Sequence, residues 1–81
     1  MAIYGECIGA DSTASVMISG LDDIGCDIFA DSGVPVLGDF ALWIGAVGPF
    51  PATATPQGDG RSVARFKDPL DRKIVNHFNC G

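Results

Sequence analysis

Short runs in which apolar residues alternate with polar or small ones, each closed off by a turn at spacings of roughly eight to twelve residues, most constrain how this chain can fold. Alternation of period two sends successive side chains to opposite faces of an extended backbone, so each run reads as a half-buried strand. Ala2 to Ile8 is the first, with Ile3, Gly5 and Cys7 on one face and Tyr4, Glu6 and Ile8 on the other, and Gly9 to Ser12 supplies its turn. Ala14 to Ser19 alternates Ala14, Val16 and Ile18 with Ser15, Met17 and Ser19. An acidic turn bracketed by Gly20 and Gly25 leads to Cys26 to Ala30, where Cys26, Ile28 and Ala30 oppose Asp27 and Phe29.

After Asp31 to Pro35, and a second turn signal at Leu37 to Asp39, comes the longest apolar run, Phe40 to Val47. Phe40, Leu42, Ile44 and Ala46 share one phase and Ala41, Trp43, Gly45 and Val47 the other, so both faces are expected to meet protein. Gly48 and Pro49 are read as its end. Phe50 to Thr55 is a fifth strand, and Pro51 and Pro56, which each remove a ladder donor, predict an edge or strand-end position. Gln57 to Gly60 fits a hairpin turn before Arg61 to Lys67. The period then changes: Leu70, Ile74 and Phe78 fall on one helical face, with Asp68 as the expected N-cap, Pro69 at the first helical position and Asn79 or Gly81 at the end. Six short strands and a terminal helix predict a mainly β protein: a small antiparallel six-stranded barrel, its open end or side covered by the helix.

At 81 residues, with 47% apolar and 19% charged residues, the chain is expected to form a single domain over residues 1–81. No apolar stretch is long enough to span a bilayer, and the start lacks the basic and apolar regions of a secretion signal, so a cytoplasmic protein without membrane insertion is the expectation. Cys7, Cys26 and Cys80 form neither a disulfide framework nor a metal knuckle and are read as reduced structural thiols. Charge is unevenly placed. Residues 1–60 carry eight acids and no Lys or Arg, while Arg61, Arg65, Lys67, Arg72 and Lys73 all follow, against Asp68 and Asp71. Such a field repels phosphates over most of the surface and argues against nucleic acid as a partner.

Little in the sequence carries chemistry. His77, the one imidazole, borders the apolar helical face and reads as structural. The aspartates Asp22, Asp23, Asp27 and Asp31 lack the alternating ligands and closing glutamate of a calcium loop, and Gln57 to Ser62 lacks the lysine and following helix of a phosphate loop. No enzyme, cofactor or metal is expected. Phe29 and Trp43 fall opposite the core phase of their strands and, with Met17, form a candidate partner patch; the competing expectation is that the terminal helix covers them.

The order of these features resembles a PilZ domain, the small bacterial β-barrel associated with cyclic di-GMP signalling. The resemblance runs through Val16 to Ile18, Ile24 to Ile28, Val36 to Asp39, Phe50 to Ala54 and Val63 to Leu70, and covers most of the chain from about Ala14 onward. It implies a ligand site built from Arg-x-x-x-Arg before the first strand and Asp/Asn-x-Ser-x-x-Gly at the second turn. The first motif is absent, since no arginine occurs before Arg61. In the second window, Gly20 to Gly25, only Gly25 is retained: Gly20 stands for the acid and Asp22 for the serine. A doubly charged dinucleotide needs guanidinium forks, and this turn offers Asp22, Asp23 and Asp27 instead.

The expectation is therefore a divergent PilZ-like adaptor with lost or weak cyclic di-GMP binding. It would act on an unidentified protein partner through the face carrying Phe29 and Trp43 or through the basic tail, with Arg61 and Arg65 as further contact candidates. A cyclic di-GMP receptor, with Arg61, Arg65 or Arg72 brought to the turn by the fold, is the second reading. A β-rich assembly subunit, a homo-oligomer built on Trp43, is the third.

Overall fold

The computed structural model describes residues 3–33 and 35–79. Six strands and one helix follow in order: β1 (Ile3–Ile8), β2 (Thr13–Ser19), β3 (Gly25–Ala30), β4 (Gly38–Ile44), β5 (Val47–Gly58), β6 (Arg61–Phe66) and α1 (Arg72–Asn79). All neighbours are antiparallel, and the sheet closes into a barrel in the order β1-β2-β3-β6-β5-β4, with Gly5 to Ile8 of β1 pairing with Ile44 to Ala41 of β4. The expected fold class is therefore the observed one. Ala2, Cys80 and Gly81, to which the sequence reading gave a strand start, a thiol and a helix end, lie outside the described residues.

Period two decides what lies inside. Val16 and Ile18, Cys26, Ile28 and Ala30, Phe40, Leu42 and Ile44, Ala52 and Ala54, and Ala64 and Phe66 all point inward and are buried. The small residues of β5 and β6 let the barrel close tightly around the larger side chains of β4. Ser62 shares this inward phase. It is fully buried, and its hydroxyl donates to the Val36 carbonyl at 2.7 Å, fixing the β3–β4 connection to the barrel.

The long apolar run is not one strand. It breaks at Gly45 and Ala46, where Ile44 pairs with Val47 across a two-residue hairpin. Gly45 has a φ of 60° and supplies the positive dihedral that the first central position of such a turn requires. Gly48 and Pro49, expected to end β4, are instead absorbed by the register shift between Leu42 and Ile44 at the start of β5. At the other end of β5, Asp59 and Gly60 form the expected hairpin turn, both with positive φ.

Closure also corrects the reading of the prolines, because β5 is paired on both sides. Pro51 faces β6 at that strand's end, where the Lys67 N–H donates to the Pro51 carbonyl at 2.9 Å. Pro56 lies past the last β4 partner, since Gly38 pairs with Ala54. Each missing N–H thus falls where one ladder has run out, which is how a proline fits inside a barrel strand.

The loops at residues 20–24 and 45–46 and the chain leaving β6 lie at one end of the barrel, where the C-terminal segment is fastened. The Leu70 N–H donates to the Asp23 carbonyl at 2.8 Å, and Leu70 itself is buried. Asp71, not Asp68, caps α1: its carboxylate accepts from the Lys73 N–H at 2.8 Å and its carbonyl takes the first helical bonds. Pro69 therefore precedes the helix rather than opening it. Ile74, Val75 and Phe78 are half-buried against the core, and the Asn79 amide donates to the Leu21 carbonyl at 2.9 Å. His77 is exposed and lies edge-on to the Phe78 ring, so it is not enclosed in the packing.

Candidate functional site

The turn from Gly20 to Gly25 is built by its own side chain. One Asp22 carboxylate oxygen accepts from the Ile24 N–H at 3.0 Å and the Gly25 N–H at 2.9 Å, while the Asp22 N–H donates to the Gly25 carbonyl. This aspartate ties a loop through its own backbone, as short acids at turns commonly do. Gly20 has a φ of 60°, and a Cβ there would stand 3.2 Å from the Asp27 carboxylate. An acid at position 20 would be strained and set beside a like charge. Gly25 is required for a different reason: a Cβ on it would overlap the Ala64 carbonyl oxygen, so the close approach of β3 to β6 admits no side chain.

Opposite Gly25 stands Arg65, and opposite Phe29 stands Arg61, both fixed by the β3–β6 register. The same outward row continues from Phe29 to Met17 on β2 and from Met17 to Tyr4 on β1. Phe29 and Met17 are each 40% exposed and Tyr4 62%. Two adjoining clefts follow β3. One, of about 240 Å³, lies over the glycine gap and is lined by Gly20, Asp22, Ile24, Asp27, Val63 and Arg65 among others; the next, of about 510 Å³, is lined by Met17, Ser19, Asp27, Phe29 and Arg61. Asp27 belongs to both. Arg72 is at the barrel end, beside Asp22 and Asp23.

Four of the five residues singled out from sequence, Gly25, Phe29, Arg61 and Arg65, therefore share one face. Trp43 does not. It points outward from β4, paired with Glu6 of β1, three strands around the barrel from β3, and its ring lies over Gly48. Half-buried there, it cannot form a patch with Phe29. Nor does α1 cover either residue, since it packs at the barrel end with Leu21 and Asp23.

A third cleft, of about 360 Å³, opens at the opposite end and was not foreseen. Cys7, Thr13, Ala14, Val36 and Phe40 line it, drawn from segments too far apart in the chain for spacing to reveal. Its chemistry is muted. Asp39 at its rim is held below the usual carboxylate range by a hydrogen bond from Thr53 and by Lys67, at 2.9 and 3.3 Å. Burial pushes the thiols of Cys7 and Cys26 up to about 12, and the neighbouring thiol and carboxylates add to the rise at Cys26. Neither is a thiolate nucleophile at neutral pH.

Among the described residues, no group of three or more His, Cys, Asp or Glu side chains could hold a metal ion, and no helix is long and apolar enough to cross a membrane. Set against family models, curated proteins and solved structures, the chain matches none. The site rests on its geometry.

Proposed function

We propose that the chain is a non-catalytic, PilZ-like adaptor that docks a protein partner through the outer face of β1, β2, β3 and β6. The observation that carries this reading is the exposed row of Tyr4, Met17 and Phe29 ending on Arg61. Large apolar side chains brought into register across neighbouring strands, with cations at their border, have the composition of an interface centre and rim. Nucleophile, base and orienting group are not assembled around it, and its acids are spent on turn geometry or face solvent.

Replacing Phe29 with a photo-crosslinking phenylalanine analogue in cells that express the protein should trap a discrete partner, while the same analogue at Trp43 should not. Equal adducts from both positions, or none from position 29, would defeat the assignment of this face.

A cyclic di-GMP receptor is the second reading, favoured by one observation: Arg65 lies directly across from Gly25. Against it stand Asp22 and Asp27 in the same cleft and the glycine at position 20. Titration calorimetry with cyclic di-GMP should give no saturable heat, and micromolar binding would replace the adaptor reading with this one.

A further inference from the structure

The order of residues along the exposed row narrows what can cover it. Tyr4 pairs with Met17, Met17 with Phe29 and Phe29 with Arg61, so four outward side chains stand side by side across β1, β2, β3 and β6. Neighbouring strands lie about 4.8 Å apart, which makes the row roughly 14 Å long. Tyr4 is 62% exposed, Met17 and Phe29 are each 40% exposed, and Arg61 also faces solvent. Among the described residues, Lys67–Asp39 is the only ion pair within 4.0 Å, so the Arg61 guanidinium is not engaged by a carboxylate of its own chain.

The signs on this face balance. The chain as a whole carries −5, and residues 1–60 hold eight acids without a Lys or Arg, so two copies repel each other over most of their surface. Along β3 and β6, Asp22 and Asp27 are offset by Arg61 and Arg65, and the cleft beside Phe29 has one charge of each sign, Asp27 and Arg61. A second copy meets no net charge here.

Reversing the row shows why a second copy fits it. A two-fold axis running along the strands, between β2 and β3, lays one row end for end over the other. Met17 then meets Phe29 of the second copy and Tyr4 meets its Arg61, each contact being made twice. Both are favourable pairs, a thioether against an aromatic ring and a guanidinium over a phenol ring. In the next row, where Ser19 pairs with Asp27, the same axis sets a hydroxyl against a carboxylate. An axis along the row would instead place Arg61 on itself. Complementarity of a patch to its own reversed copy is what an isologous interface demands. Shape agrees, because a barrel wall is convex: two copies approach closest over β2 and β3 and diverge over β1 and β6, where the long side chains of Tyr4 and Arg61 reach across.

We propose that the chain forms a two-fold homodimer through this row, Met17 packing on Phe29 and Tyr4 on Arg61 of the second copy. The proposal rests on the reading of this face as a docking surface and names its occupant. A contact centred on four side chains falls below the roughly 800 Å² per partner of a standard interface, so the dimer is reversible and depends on concentration.

In sedimentation equilibrium the average mass of the full chain should rise from monomer toward dimer as concentration is raised. In a mixture of isotope-labelled and unlabelled chains, filtered NMR should report contacts between copies from the Met17 methyl to the Phe29 ring and from the Tyr4 ring to Arg61, with none at Trp43. Phe29→Glu should weaken the dimer by about tenfold or more. Arg61→Glu, at an exposed position, should weaken it as well while keeping the parent's amide spectrum beyond its immediate neighbours. A monomer at every concentration, a dimer whose contacts lie elsewhere, or a dimer that both variants leave unchanged overturns the proposal. Photo-crosslinking at position 29 separates this outcome from the docking reading. An adduct of twice the chain mass supports both. A different protein trapped by a chain that stays monomeric overturns the second copy and leaves the docking face in place, and no adduct together with no dimer overturns both.

Discussion

At the scale of single residues, Gly25 shows how one position can look like a ligand motif and be held by packing. Its missing side chain makes room for the Ala64 carbonyl, so the glycine is needed whether or not anything binds. Gly25→Ala should therefore lower stability by about 1 to 3 kcal/mol, the usual cost of forcing a methyl group into a filled space. The drop should appear as a lower urea midpoint at unchanged slope; a stable variant would mean that the strands can part there at no cost. Asp22 illustrates the same economy, because its carboxylate, at the position that the PilZ resemblance would give to a serine, is already bonded to two backbone N–H groups. The buried Ser62 was legible only as a polar residue in the inward phase. Its acceptor, the Val36 carbonyl, lies 26 positions earlier, and no local pattern announces that pairing.

At the scale of elements, α1 is the part whose hold is weakest. It is eight residues long, has no fully buried side chain, and is fixed by the Asp71 cap, three half-buried apolar residues and the bond from Asn79 to Leu21. Helices this short are marginal without tertiary support. Asp71→Ala should cost about 1 kcal/mol and raise amide hydrogen exchange in residues 72–79 far more than in β4; uniform loss of protection across the barrel would contradict a separately anchored helix. The strands themselves were readable to within a few residues, since each inward phase from β2 to β6 follows directly from alternation. What failed was punctuation. Gly45 and Ala46 turn the chain without any polar residue to mark it, whereas Gly48 and Pro49 look like a stop and lie inside β5. Asp68 is the cap that the sequence suggests, but the Leu70 N–H is given to the Asp23 carbonyl, a tertiary contact, and Asp71 caps the helix instead. The outer face proposed for docking was half legible: alternation sent Phe29 and Trp43 outward correctly, but only the strand order could show that outward meant different sides.

At the scale of the whole molecule, the two buried thiols tie stability to alkaline pH. Cys7 and Cys26 ionise near 9.0 when exposed and near 12 when folded, so between those values the unfolded chain has released protons that the folded chain still holds. Their contribution is fully present below about pH 9 and is lost as pH rises toward 12. The urea midpoint should fall across that window, and fall less steeply in Cys7→Ala and Cys26→Ala than in the parent; parallel slopes would assign the decline to other groups. The pairing of β1 with β4 has a further consequence. Among the described residues, every strand of the closed ring has a neighbour on each side, so the sheet has no edge strand to template another chain. A partner cannot lengthen this sheet by adding a strand, and copies cannot stack edge to edge without first opening it. Any partner meeting the barrel wall would therefore be read through side chains, and a few substitutions on the outer face would alter that reading while the ring that displays them stays intact.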